Sequence, residues 1–592
     1  MLNFEVIVVF IVILFILVSL YKELLGMAYT FLIAIVVLGV AGILTPFEMM
    51  HGFANEQIAV IMLLLLLGDI IRKTRAVEAI FDRIFSSANT YKGFLGRMIL
   101  LIAGFSAFLN NTPLVAVMMP YVNSWSKRHN VAPSKLLIPL SYAAILGGCA
   151  TLIGTSTNLI VNGLLDDQKI IPGLPTLGMF DFIYVGLPMV VIGFFFLLLF
   201  ANKLLPANPD VLSNFVTKTR EYMVEAVVSG NSPLIGKSVE EAGLRNLKSL
   251  FLVEIIRDNK ELRAVSPEEY IRANDRLLFA GETETVVEMV NSNMGLILPS
   301  LDKHPEQVNK EIVEIVVSHN SQLINKTAKL IDFRSKYNAS IIAIHRNGER
   351  VSGKIGQVRI KAGDVLLLIA GPDFAGHSAE TQDFYLISKI KEILKFEWYR
   401  IAILLGGTFL AIGLSAFKLV SLFKALLVLL VILSILKIAT LKDLKKGFDY
   451  NLYVIIALSL ALGKAMINTG MADLVSDLLI KVFLPLGNVG MLVGIYLITS
   501  IMAAYITNKA AAAIVFPVSL TMALNLGLNP MPFILIVAFA AAANFMTPHG
   551  YQTNLMVYGP GAYTFRDFFR IGLPITILYL IVTVTVLSLM YL

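Results

Sequence analysis

Charge is scarce in this chain. Only 15% of its 592 residues are Asp, Glu, Lys or Arg, against 57% hydrophobic, and the mean hydropathy is +0.77. A soluble protein of this size could not cover its apolar surface with so little charge, which excludes a soluble fold for the whole chain. Cysteine is nearly missing as well. Cys149 stands alone in an apolar run, so disulfides play no part. The first apolar block, from Phe4 to Leu20, has neither a basic flank nor a small-residue cleavage site, and reads as a retained span rather than a signal peptide.

Several motifs are missing too. There is no Gly-x-Gly-x-x-Gly after a strand pattern, so no NAD is expected, and no P-loop, so no ATP-driven pumping. Neither a metal-ligand cluster nor a nucleophile constellation is visible, which argues against an enzyme. A potassium filter would need a Thr-Val-Gly-Tyr-Gly-like loop, and none occurs. That weakens the main alternative, a cation (potassium) transport component or ligand-gated channel. The net charge of +7 comes from basic residues flanking apolar blocks, which fits membrane orientation better than a nucleic-acid partner.

What is present is a series of apolar blocks near both ends, long enough to cross a hydrocarbon core of about 30 Å. Ten full spans are expected, at about 4–20, 27–44, 57–72, 134–160, 181–201, 399–415, 419–438, 452–468, 530–556 and 571–591. Two further segments, 97–124 and 484–522, are interrupted and read as re-entrant hairpins. Basic loops around Arg72, Lys73, Arg75, Arg83 and Lys92, around Lys127, Arg128 and Lys135, around Lys442, Lys445 and Lys446, and at Arg566 and Arg570 should be cytoplasmic. Lys418, Lys424 and Lys481 depart from that bias. Both termini are then outside and the central domain cytoplasmic, in the cell membrane.

The two membrane halves align. Gly68 and Thr74 match Gly463 and Thr469; Asn111 with Pro120 matches Asn508 with Pro517; Thr157-Asn158-Leu159 matches Thr553-Asn554-Leu555; Asp181 with Gly186-Leu187-Pro188 matches Asp567 with Gly572-Leu573-Pro574. With five spans before the central domain, the second half should be inverted relative to the first. Lipid alone explains shared Leu and Val, but not a shared Thr-Asn-Leu. The expected architecture is a polytopic α-helical membrane protein of two inverted repeats, each of five spans and one re-entrant hairpin, around a soluble α+β domain. The divisions are 1–203, 204–300, 301–396 and 397–592, the middle two being tandem modules.

Four polar stretches interrupt the apolar sequence: Asn110-Asn111-Thr112-Pro113, Gly154-Thr155-Ser156-Thr157-Asn158, Thr507-Asn508-Lys509 and Thr547-Pro548 through Asn554. Irregular backbone at membrane depth is tolerated only where protein or a water-filled cavity satisfies it. Freed carbonyls with Asn, Ser and Thr oxygens suit a desolvated alkali cation, while exposed amides at helix N-termini suit an anion. The blander reading is that these residues glue helices together. No acidic residue stands in the four stretches, which argues against a carboxylate proton relay. Lys509 could pair with an anion, replace a cation, or snorkel to the interface. His549 could titrate near neutral pH, or be satisfied by backbone.

These stretches resemble those of the divalent anion:sodium symporter family, over about two-thirds of the chain. The family's hairpin-tip Ser-Asn-Thr motifs are similar to Asn110-Asn111-Thr112 and, less closely, to Thr507-Asn508-Lys509; its Thr-Pro is similar to Thr547-Pro548. The resemblance implies substrate contacts from Asn110, Asn111, Thr112, Thr507, Asn508, Lys509, Thr547 and Pro548. It implies sodium contacts from Asn111, Gly154, Thr155, Ser156, Asn158, Asn508, Gly550, Thr553 and Asn554. It further implies a homodimer, an elevator-like movement, and sodium as coupling ion for sulfate or a dicarboxylate. The stretch Gly550 to Gly559 looks most like the sulfate-permease-like branch. Lys509 puts the second sodium site in question.

The central insert carries its own repeat. Val224–Ser229 before Leu234-Ile235-Gly236-Lys237 matches Val313–Ser318 before Leu323-Ile324-Asn325-Lys326, and Ile271–Asp275 matches Ile360–Asp364. The runs Leu250–Ile256 and Ser340–His345 read as strands. The pattern resembles two tandem C-terminal modules of potassium-conductance regulators, implying either a small regulatory nucleotide or a dimerisation clamp.

Overall fold

The computed structural model describes residues 3–22, 24–73, 84–85, 88–168, 171, 173–208, 223–244, 250–257, 260–263, 265–281, 295–297, 312–319, 321–346, 349–351, 355–370, 374, 381, 383–387 and 398–592. Thr74, Arg75 and Arg83 lie outside them.

The first part of the chain runs through α1 (Phe4–Tyr21), α2 (Met27–Val40), α3 (Pro46–His51), α4 (Glu56–Lys73), α5 (Tyr91–Ser106), α6 (Asn111–His129), α7 (Leu137–Gly148), α8 (Ser156–Asp167) and α9 (Ile183–Leu204). A short α10 (Phe333–Tyr337) belongs to the insert. The last part runs through α11 (Trp398–Ala416), α12 (Leu422–Ile435), α13 (Leu441–Gly447), α14 (Tyr450–Asn468), α15 (Met471–Phe483), α16 (Gly487–Tyr505), α17 (Asn508–Asn525), α18 (Pro530–Ala542), α19 (Gln552–Tyr558) and α20 (Phe565–Tyr591). Five of the described spans are individually long and apolar enough to cross a membrane, or seven if two bent pairs count as one span each. Large apolar side chains such as Phe10, Leu14, Phe195 and Ile581 face outward, as lipid-facing surfaces do. The chain is a multi-pass membrane protein.

Some spans are shorter than their apolar runs. The block 27–44 gives a 14-residue helix, and 419–438 another of 14. Left-handed backbone stops them: Gly42 has φ +74° after α2, and Lys437 has φ +55° after α12. The runs 134–160 and 530–556 are each split, by irregular residues 149–155 and 543–551. Ser156 is therefore the first helical residue of α8, with Thr155 as its N-cap, rather than part of an unwound loop.

The segment 97–124 turns back on itself. α5 ends at Ser106, and α6 starts at Asn111 with Asn110 capping the Thr112 amide. Near the far end of α6, Trp125 stacks on Phe94 from the start of α5, with ring centroids 4.3 Å apart, and its indole N–H donates to Ala88 O at 2.6 Å. The second helix thus returns to the level where the first began. Trp125→Ala should cost about 3–5 kcal/mol, since it deletes a fully packed ring and orphans a carbonyl. The check is a melting curve in detergent, where an unchanged midpoint would exclude this clasp.

The insert forms two five-stranded antiparallel sheets. The first has order β3-β2-β4-β1-β5 and the second β10-β6-β9-β7-β8. The strands of the first are β1 (Met223–Val228), β2 (Leu250–Arg257), β3 (Lys260–Arg263), β4 (Arg276–Gly281) and β5 (Leu296–Ile297). Those of the second are β6 (Ile312–Val317), β7 (Ala339–Arg346), β8 (Glu349–Arg350), β9 (Val365–Ala370) and β10 (Phe384–Leu386). Read from opposite ends, the two orders are the same. Each sheet carries the same staple: Arg257 Nε donates to Asp275 at 2.8 Å in one, and Arg346 Nε to Asp364 at 2.7 Å in the other. The Arg334 guanidinium of the second sheet's unit donates to Leu252 O and Val265 O of the first, each at 3.1 Å.

Candidate functional site

The two broken spans use one design twice. In the first, Gly154 N–H donates to Thr151 Oγ1 at 3.2 Å and Asn158 Nδ2 to Thr151 O at 2.9 Å. In the second, Gly550 N–H donates to Thr547 Oγ1 at 3.0 Å and Asn554 Nδ2 to Thr547 O at 3.1 Å. Each threonine hydroxyl also reaches the carbonyl just before a hairpin tip, Thr151 to Ala107 O and Thr547 to Ala504 O at 3.5 Å. Backbone freed by breaking the helix is therefore satisfied by side chains, as membrane depth requires. A side chain at Gly550 would start 2.2 Å from the Asn544 amide, so the turn closes only on glycine.

Tyr551 is where the halves meet. Asn111 Nδ2 donates to its hydroxyl at 2.6 Å, and Thr155 Oγ1 lies 3.3 Å from it. Beside it Thr112 Oγ1 donates to Gln552 Oε1 at 2.9 Å. Deeper in, Ser141 Oγ lies 2.7 Å from both Thr553 Oγ1 and Asn554 Oδ1. Ser106 Oγ contacts Asn111 Oδ1 and donates to Ala144 O at 2.7 Å. The N-termini of α6, α8 and α19 consequently converge, and their amides give a positive field with no carboxylate among the contacts. α17 begins in the same way, with Thr507 accepting from the Ala510 amide at 3.2 Å. Lys509 stands in its first turn, where Asp449, capping α14, is the acid whose field reaches it.

Two oxygens suit a cation. Asn158 Oδ1 and Asn508 Oδ1 are buried without a hydrogen-bond donor among the described residues. An orphaned buried acceptor costs about 1–3 kcal/mol unless something completes it, and an alkali ion is one such completion. A cleft beside the first break is lined by Asn110, Gly154, Ser156, Leu65 and Thr408.

Of the residues singled out from the sequence, Asn111, Thr112, Thr155, Thr553 and Asn554 are in direct contact across the halves. Gly154, Asn158, Thr547 and Gly550 build the two turns, and Pro548 is buried inside the second. Asn110, Thr507 and Ser156 serve as caps or a helix start. His549 is exposed and its ring lies 6.4 Å from that of Tyr558. Sequence reasoning missed Thr151, Tyr551, Gln552, Ser106 and Ser141. Thr151 was recoverable, because Thr-x-x-Gly-x-x-x-Asn stands at both 151–158 and 547–554. The two serines carry no signal in an apolar run.

A helical membrane protein whose halves join at facing helix breaks is built to carry something across rather than to transform it. The comparisons agree. The model of the citrate transporter family matches residues 7–417 and 409–592, and the chain belongs to that family. A Chlamydomonas reinhardtii protein named as a sulfur deprivation response regulator is 33% identical over 560 residues, covering 92% of this chain and 95% of its own length. An uncharacterized transporter of Synechocystis is 31% identical over 601 residues, covering 98% and 96%. A sodium/sulfate cotransporter of C. reinhardtii is 24% identical over 766 residues, covering 94% and 86%. The protein is a membrane transporter in a family that moves anions, and not an enzyme.

Proposed function

We propose that the protein is a sodium-coupled symporter of a small divalent anion, sulfate before a dicarboxylate. The observation that carries this reading is the convergence of three helix N-termini on Tyr551, with Lys509 opening a fourth helix. Helix N-termini bind a tetrahedral oxyanion through backbone amides without needing a second charge. The unpaired oxygens of Asn158 and Asn508 are the sodium ligands, one in each half. The name of the C. reinhardtii relative supports sulfate and sodium.

The same reading takes the two membrane halves as inverted repeats, supported by the matched Thr151 and Thr547 turns. The hairpins and broken helices form a transport domain that moves in elevator fashion against a scaffold, in a homodimer. Both termini lie outside the cell membrane and the tandem modules are cytoplasmic and regulatory. Sulfate should raise the melting temperature of the purified protein in sodium chloride and leave it unchanged in choline chloride. Equal stabilisation in both salts would remove the coupling, and a shift with succinate alone would move the substrate to dicarboxylates.

A further inference from the structure

The second soluble unit does not stay clear of the membrane domain. Val316, Val365 and Ile387 from its strands and edges are buried in the same apolar cluster as the transmembrane helices. Its turn at Gly363, with φ +81°, sits against α19: a Cβ there would lie 3.0 Å from Leu555 Cδ1, and one on Gly559 would lie 2.4 Å from Gly363 O. From the end of β6, His319 reaches Gln552, the residue that accepts from Thr112 at the hairpin tip.

The duplicated units allow an internal comparison. Val-Val-Ser-Gly230-Asn-Ser in the first corresponds to Val-Val-Ser-His319-Asn-Ser in the second, and Ala-Asn274-Asp to Ala-Gly363-Asp. Among the described residues, none comes within 4 Å of where a Cβ on Gly230 would lie. Asn274 holds φ +67°, which Asn tolerates, so positive φ alone does not demand glycine at this turn. The second unit thus differs from the first at the two turn positions that touch the membrane domain. One exchange adds a side chain that reaches the site, and the other removes a side chain that would collide with α19.

We propose that the second soluble unit is a plug on the substrate site, with His319 as its tip, and that transport requires it to lift from α19. The contact occupies Gln552, and through it Thr112, which an entering anion would need. Gln552 Nε2 donates to His319 Nε2, leaving the imidazole proton on Nδ1, which is buried without a partner among the described residues. Burial, then the Lys509 ammonium, pushes His319 down to about 3. A neutral ring carries no charge to draw an anion, and its Nε2 is taken by Gln552, so His319 closes the site rather than binding cargo. The plug rests on the transport reading above.

The test separates docking from flux. Gly363→Cys with Leu555→Cys in the full chain should form a disulfide on mild oxidation. Sulfate uptake into proteoliposomes should then fall about tenfold and recover on reduction. Separately, a membrane-impermeant maleimide should label Thr112→Cys about tenfold faster when His319→Gly is added. No disulfide, equal uptake in the two redox states, or equal labelling would each overturn the plug. A labelling difference in a protein that moves no sulfate would support the plug and overturn the sulfate reading instead.

Discussion

Lys509→Thr should raise the KM for sulfate about 10- to 100-fold, the worth of a charge-assisted hydrogen bond of about 1.5–3 kcal/mol. Lys509 is the only cationic side chain other than His549 in the four polar stretches, and His549 is exposed. Backbone amides alone would then have to hold both charges of the anion. Lys509→Arg keeps the charge with a different shape and should fall in between. Initial rates against sulfate concentration, at saturating sodium, give the answer. A KM that stays put while the sodium dependence becomes steeper would give Lys509 the place of a cation in the second half, and not that of a substrate ligand.

Asn508→Ala should weaken sodium activation about tenfold while leaving the fold intact. Asn508 Oδ1 is buried with no donor among the described residues, so truncation breaks no hydrogen bond at that atom. Asn554→Ala provides the contrast. Its amide donates to Asn544 O at 3.0 Å and Thr547 O at 3.1 Å, and its oxygen lies 2.7 Å from Ser141 Oγ. Removing it strands two carbonyls, Asn544 O and Thr547 O, at about 1–3 kcal/mol each, while Ser141 keeps Thr553, and the protein should lose much of its stability. Uptake against sodium concentration, with melting curves in sodium-free buffer, separates the two variants. Normal sodium activation in a well-folded Asn508→Ala would dismiss that oxygen as a ligand.

Acid should loosen the docked unit. A free histidine titrates near 6.5, whereas docked His319 is held down to about 3. Docking is therefore undiminished above pH 6.5 and weakens as the pH falls toward 3, by up to about tenfold per unit. The charge acting on the imidazole is Lys509 from α17, with Asp449 behind it, while the Asp383 carboxylate, next to β10 in sequence, is engaged by Tyr337 and Lys336. Acid lowers the reactive thiolate in every variant, so the readout is the labelling rate of Thr112→Cys relative to the same cysteine with His319→Gly added, and that ratio should rise from pH 7.5 to 5.5.

Much of the membrane architecture was legible because lipid constrains sequence so tightly. Apolar length located the helices, and Asn-Thr clusters between Gly and Pro located the breaks to within a few residues. Helix ends at Gly42 and Lys437 were not legible, since the apolar run continues past a backbone reversal that only φ records. The site was half legible. Asn111, Asn158 and Asn554 advertise themselves by polarity, whereas Tyr551 looks like any interfacial aromatic until Asn111 and Thr155 are seen to converge on its hydroxyl. Ser106 and Ser141 act through distant partners that no local pattern reveals. His319 was hidden differently. Its departure from Gly230 stands in the repeat for anyone aligning the units, but only the packing of the second sheet against α19 gives that departure a meaning.

Sodium coupling is tested by labelled sulfate uptake by the purified protein in liposomes, with an inward sodium gradient, with equal sodium on both sides, and with choline. A sodium-coupled symporter gives saturable accumulation above equilibrium with the gradient, mere equilibration without it, and little entry in choline. Uptake that is indifferent to sodium, or that never exceeds equilibrium under the gradient, would contradict sodium coupling.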